Sequence, residues 1–156
     1  SALKQSSYHP SPVKSGSAGE RYSNTLNKIF TKDYDFKDYD RATNIYWPGN
    51  KIGLGREDVI SFWGSLKDIL SEVKFKVEHV GYLDEPNKNP RTSVRWSLEG
   101  VHSVDSETYG KKTNSNLYFM GINHAELNSY SVIREWVLFD EVAIWKQILM
   151  NRNKNG

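Results

Sequence analysis

Two apolar segments with the period of a helix come first, and four long runs with the period of a strand follow; this order limits the fold more than any other feature. Tyr22, Leu26, Ile29 and Phe30 recur at helical spacing and predict a helix over about 19–31. Val59, Ile60, Phe62, Trp63, Leu66, Ile69, Leu70 and Val73 predict a second, strongly amphipathic one. Strands are then expected over Phe75–Leu83, Ser93–His102, Asn116–Leu127 and Ser131–Phe139. In the second of these, Val94, Trp96, Leu98, Gly100 and His102 share a face. Val142–Met150 closes the chain as a short helix, with Asp140 placed to cap it. Before the second helix, Ile45-Tyr46-Trp47 reads as a short strand ending in a Pro48-Gly49 turn, and 33–40 as a short helix or an irregular turn. Helices followed by a meander predict an α+β fold, its helices packed on one face of an antiparallel sheet.

The chain has 156 residues, enough for one domain with a core that needs no metal or disulfide. It has no cysteine, which excludes disulfides, thiolate catalysis and cysteine-based zinc sites. Its net charge of +2 is spread thinly, so neither a nucleic acid nor a membrane surface is an expected partner. No segment has transmembrane length and no signal-peptide pattern opens the sequence, giving a cytoplasmic expectation. Residues 1–19 are rich in Ser, Pro and Gly and read as an arm or linker; 20–150 form the domain and 151–156 a tail. No cofactor or metal is expected. Gly53-x-Gly55 lacks the third glycine of a dinucleotide loop, the aspartates of 33–40 lack a calcium loop's glycine and terminal glutamate, and no histidine pair has zinc spacing. Aromatic residues are 13% of the chain against an apolar total of 37%, so much of the core must be Trp, Tyr and Phe.

Val94-Arg95-Trp96-Ser97-Leu98-Glu99-Gly100-Val101-His102 resembles a strand motif of the SnoaL-like proteins, a polyketide cyclase-like group in the nuclear transport factor 2-like superfamily. Gly121-Ile122-Asn123-His124 followed by Ile133-Arg134-Glu135-Trp136 is similar to that family's last hairpin. Asp140-Glu141-x-Ala143 with Gln147 is similar to its closing helix. The likeness covers roughly 20–150 and is strongest after Arg91. It implies a cone-shaped (cystatin-like) α+β fold, with N-terminal helices on a curved antiparallel sheet enclosing a pocket. It implies no single reaction, since members include cyclases, dehydratases, isomerases, hydrolases and ligand binders. It also implies a homodimer through the sheet face turned away from the pocket, where Arg95, Glu99 and Glu135 become interfacial candidates.

By that resemblance His124 lines the cavity as a proton-transfer group. The cyclase carboxylate falls at Leu138, or at Val137 with a one-residue slip; both are apolar, so the chain departs from the cyclase pattern there. Asp140 and Glu135 are the substitute acids. Asp140 has a competing reading as the helix cap, and Glu135 as a structural partner across the sheet or to Arg95. Trp136, Leu138 and Asp140 share a face by parity, with Arg134 available for a substrate carboxylate or for Asp140. Trp47, Trp63, Trp96, Trp136 and Tyr46 are candidate pocket walls, and His102 is a rim or a hydrogen-bonded structural residue. Two functions stay open: a pocket protein for a small hydrophobic or ring-containing molecule, and a cofactor-independent lyase, isomerase or hydrolase using His124 with a carboxylate.

Overall fold

A computed structural model describes residues 15–83 and 85–155. Residues 1–14 of the expected arm, His9 among them, lie outside the described residues. Helix α1 spans Ala18–Ile29, and Ser17 caps it by accepting from the Glu20 N–H at 3.2 Å. Tyr22, Leu26 and Ile29 form its fully buried stripe. An irregular turn leads into β1 (Tyr39–Trp47), which doubles back through Pro48-Gly49-Asn50 into β2 (Lys51–Leu54). Gly49 and Asn50 both take positive φ in that hairpin, at 85° and 58°.

Helix α2 spans Gly55–Lys67, six residues shorter than the apolar spacing suggests. Ile69, Leu70 and Val73 belong instead to the start of the next strand, β3 (Leu70–Leu83), or just precede it. A bulge between Ser71 and Lys74, with Glu72 at φ 52°, inserts a residue into the alternation and makes a strand mimic helical spacing. A second irregularity between Val77 and His79 shifts the alternation again, and Val80 is buried.

Strands β4 (Arg91–His102), β5 (Asn116–Leu127) and β6 (Val132–Phe139) complete a six-stranded sheet in the order β2-β1-β6-β5-β4-β3. Neighbours are antiparallel except β1 and β6, which run parallel, so the sheet is mixed where an antiparallel one of four long strands was expected. The helices α1 and α2 pack on its inner face. Trp96 lies opposite Gly121 on that face, and a Cβ there would overlap the indole ring.

Helix α3 spans Glu141–Asn155 and carries on through residues expected as a tail. Asp140 does cap it, Oδ1 accepting from the Ala143 N–H at 3.2 Å. Strand β6 stops at Phe139, opposite Gly121, and leaves the earlier part of β5 without a neighbour on that side. Gln147 fills the gap: its Oε1 accepts from the Tyr118 N–H and its Nε2 donates to the Tyr118 carbonyl, both at 2.7 Å. One side-chain amide thus stands in for a strand's peptide group. Among the described residues no helix is long and apolar enough to cross a membrane.

Candidate functional site

Strand parity fixes what the inner face can offer. Along β5 the inward residues are Leu117, Phe119, Gly121, Asn123, Ala125 and Leu127, and along β6 they include Glu135, Val137 and the half-buried Phe139. Two polar side chains, Asn123 and Glu135, are therefore carried into an apolar interior with no solvent exposure. Isolation there would cost several kcal/mol each, on the order of 2–7 for a neutral group. Neither is isolated. Glu135 accepts from Tyr22 Oη at 2.5 Å, Tyr39 Oη at 2.7 Å and Trp63 Nε1 at 3.1 Å. Asn123 accepts from Trp96 Nε1 at 2.9 Å and donates to Tyr22 Oη at 2.9 Å.

The direction of this chain follows from its ends. An indole N–H only donates, so Asn123 must turn Oδ1 to Trp96 and Nδ2 to Tyr22. Tyr22 Oη, already accepting, gives its own hydrogen to Glu135. Burial pushes the Glu135 carboxyl up from its ordinary value, and the bonds from Tyr22, Tyr39 and Trp63 pull it back. Both tyrosines are raised well above their usual range, first by burial and then by the Glu135 charge. Among the described residues no Lys, Arg or His forms an ion pair with Glu135.

Around this network runs a closed circuit of ring contacts. Phe30 stacks on Phe75 with centroids 4.4 Å apart, Phe75 meets Trp96 at 5.9 Å, and Trp96 meets Phe139 at 6.3 Å. Phe139 meets Trp47 at 5.4 Å, Trp47 meets Trp63 at 5.1 Å, and Trp63 returns to Phe30 at 5.9 Å. The three tryptophans are buried, whereas Phe30, Phe75 and Phe139 are half-buried, as is Phe62 beside Trp47. The result is an aromatic collar, bridged across its middle by Trp63 and Trp96 at 6.1 Å, with Glu135 accepting from the Nε1–H of Trp63.

The residues singled out from sequence divide between the two faces. Trp47, Trp63 and Trp96 are in the collar, and Glu135 is at its base rather than bonded to Arg95, which is exposed on the other side. His124, Trp136, Leu138 and Arg134 all point outward, correcting their expected place inside the cone. The expected sharing of a face by Arg134, Trp136 and Leu138 holds, but that face is the outer one, because Glu135 and Val137 take the inner positions. Tyr46 is outward too and stacks on Trp136 at 5.6 Å with an interplanar angle of 7°. Arg134 pairs with Glu126 at 3.0 Å, not with Asp140. His124, Leu138 and Asp140 do meet, around an outer depression of about 510 Å³ that Arg95, Met120 and Ile122 also line. Tyr46, Trp136 and Leu138 line an adjoining one of about 360 Å³.

His102 is fully buried, its Nδ1 3.2 Å from Thr113 Oγ1 and its Nε2 without a partner. It lies beneath the segment joining β4 to β5, away from the collar contacts. Burial lowers its pKa below 6.5, Arg152 lowers it further, and Asp105 opposes them. Among the described residues no three His, Cys, Asp or Glu side chains gather as metal ligands would.

Tyr22, Tyr39 and Asn123 were missed in the sequence reading. Tyr22 was visible only as part of a helical apolar stripe, and Asn123 stood beside a more conspicuous histidine. Parity could not expose Asn123, because Tyr118, Met120 and Ile122 on the opposite face of β5 are as apolar as Leu117 and Phe119. A strand apolar on both faces does not announce which one is buried.

No protein-family model matches the chain, and no curated protein matches it. Solved structures do. A protein proposed as a SnoaL-like polyketide cyclase from Shewanella putrefaciens CN-32 superposes with a TM-score of 0.66 at 15% identity, over 87% of this chain and 88% of that one. Another so described, from Jannaschia sp. CCS1, gives 0.65 at 15% identity over 88% and 97%. AclR from Streptomyces galilaeus, proposed as a hydroxylase, gives 0.64 at 12% identity over 86% and 83%. Identities this low speak to architecture, and one architecture here carries names for different reactions. With three helices against a curved six-stranded sheet, this chain has the α+β fold of the SnoaL-like proteins of the nuclear transport factor 2-like superfamily.

Proposed function

We propose that this protein binds a small, largely apolar, ring-bearing molecule at the aromatic collar and does no chemistry on it. The observation that carries this reading is the closed circuit of six rings, three of them half-buried, drawn from α2, β1, β3, β4, β6 and the residue that follows α1. Half-buried rings offer stacking area without first being exposed. Trp47, Trp63 and Trp96 are themselves buried, so a ligand rests on the half-buried Phe30, Phe75 and Phe139 and does not enter the core. Tryptophan fluorescence, titrated with a naphthalene-based probe, tests it. Saturable quenching is expected, weakened about tenfold or more by Phe75→Ala, on the scale of one lost aromatic contact. Absence of saturation, or equal affinity in the variant, would sink the idea.

Catalysis by His124 has less in its favour. His124 and Asp140 line the same outer depression, but among the described residues no hydrogen bond joins them, and Asp140 Oδ1 is engaged by Ala143. Glu135 leaves the sheet on the opposite face. A proton-transfer pair needs groups within reach of one substrate atom.

A second reading, assembly of two copies through the outer face, rests on a separate observation. Tyr118, Met120, Ile122 and Leu138 are contiguous on that face and 43–60% exposed. A sheet face of this composition is normally covered. Light scattering over a concentration series is expected to give twice the chain mass, and Leu138→Asp to give the single-chain mass. A single-chain mass for the unaltered protein at every concentration would exclude the pairing.

A further inference from the structure

We infer that the outer face carries a second site, independent of the collar, where Arg91, Ser93 and His124 hold a small carboxylate with a short apolar body. Strand register sets the three side by side. Ser93 lies across from His124 on β5, and Arg91, two residues earlier on the same face of β4, lies across from Glu126. Towards β3, Ser93 faces Gly81 and Arg91 faces Leu83. Gly81 brings no side chain to this row, and a depression of about 270 Å³ opens there, lined by Gly81, Leu83, Arg91, Ser93 and His124 among others.

The polar side chains around this depression are uncommitted. Among the described residues, Arg91, Ser93 and His124 make no side-chain hydrogen bond and no ion pair. The neighbouring acids are engaged elsewhere: Glu126 accepts from Arg134 at 3.0 Å and from Asn89 at 3.3 Å, and Glu85 pairs with Lys88 at 2.7 Å. Arg91 is exposed, keeps its charge at any ordinary pH, and presents its donors in a planar fork that fits the two oxygens of a carboxylate. The Ser93 hydroxyl and a ring N–H of His124 add donors for the remaining lone pairs. Glu126, opposite Arg91, disfavours a doubly charged anion more than a singly charged one. Leu83, 41% exposed, and the half-buried Tyr82 give an apolar body its wall. The volume falls just below the range of about 300–1,000 Å³ usual for small-molecule clefts, which suits a single ring or a short chain.

The test uses cyclohexanecarboxylate, which has no aromatic ring to stack on the collar, and its neutral analogue cyclohexanecarboxamide. Each is titrated into the whole protein by calorimetry, with the His124 ring resonances followed by NMR and assigned by their loss in His124→Ala. The carboxylate is expected to bind about tenfold more tightly, the scale of one hydrogen-bonded charge contact, and to shift the His124 signals. In Arg91→Gln, a change at an exposed position, the two affinities should converge. Equal affinities in the unaltered protein, or binding that leaves the His124 signals in place, overturn the site. A carboxylate preference that persists in Arg91→Gln overturns the role of Arg91. Tighter binding of cyclohexyl phosphate than of the carboxylate overturns the ligand class. Should the variant not fold, the affinity ratio and the His124 shift in the unaltered protein decide the matter.

Discussion

Asn123 and His124 are adjacent, as are Glu135 and Trp136, yet each pair is divided between the two faces of one sheet. On the inner face Asn123 and Glu135 end in a directed chain of five hydrogen bonds that leaves neither unsatisfied. On the outer face His124 and Leu138 are exposed beside Met120 and Ile122, with no comparable network among the described residues. The inner face puts polar groups in an apolar setting and must pair them; the outer face puts apolar groups in a polar setting and can leave them to a ligand or a second chain. Burial, more than residue type, decides how costly a change on either face becomes.

The largest contrast is expected from Glu135→Ala. It strands the hydroxyls of Tyr22 and Tyr39 and the indole N–H of Trp63, and should lower unfolding free energy by about 2–4 kcal/mol in urea denaturation. A loss below about 1 kcal/mol would mean that the network contributes little and would break the comparison. Next comes Gly121→Ala, also on the inner face. The added methyl meets the Trp96 ring, and a loss of about 1–3 kcal/mol is expected from overpacking by the same measurement. No loss would mean that Trp96 can swing away.

A smaller effect should appear on acidification. The folded-state pKa of His102 lies below 6.5, so as pH falls the unfolded chain takes up this proton first. The contribution of neutral His102 is therefore complete above about 6.5 and is lost as pH drops from there toward the lower folded value. Urea midpoints at pH 7.5 and pH 5.5, compared between the unaltered protein and His102→Gln, should give a steeper decline in the unaltered protein. Parallel declines would assign the acid sensitivity to other groups. The smallest effect is His124→Ala, expected within about 0.5 kcal/mol because the side chain is exposed. A loss as large as that of Glu135→Ala would erase the distinction between the faces.

The strands β4, β5 and β6 were legible to within two residues, since each sustains its run for eight residues or more. The end of α2 was not, because the bulge at Glu72 gives Ile69, Leu70 and Val73 a spacing that a helix also has. Strand β2 escaped as well, its four residues carrying only Ile52 and Leu54 as apolar groups, both exposed. Of the proposed site, the aromatic residues Trp47, Trp63 and Trp96 could be named from sequence as candidates. Their polar partners could not. Tyr22, Tyr39, Asn123 and Glu135 come from α1, β1, β5 and β6, and only the packing of α1 on the sheet brings Tyr22 within 2.5 Å of a residue 113 positions away.

Periodicity and order along the chain determined the class of fold, the cap at Asp140 and the aromatic make-up of the core, because these depend on neighbours within a turn or a strand. The tertiary structure alone decided which face of β5 and β6 is the interior. Both faces of β5 are apolar, so local pattern left the choice open, and burial beneath α1 and α2 resolved it in favour of Asn123 and Glu135.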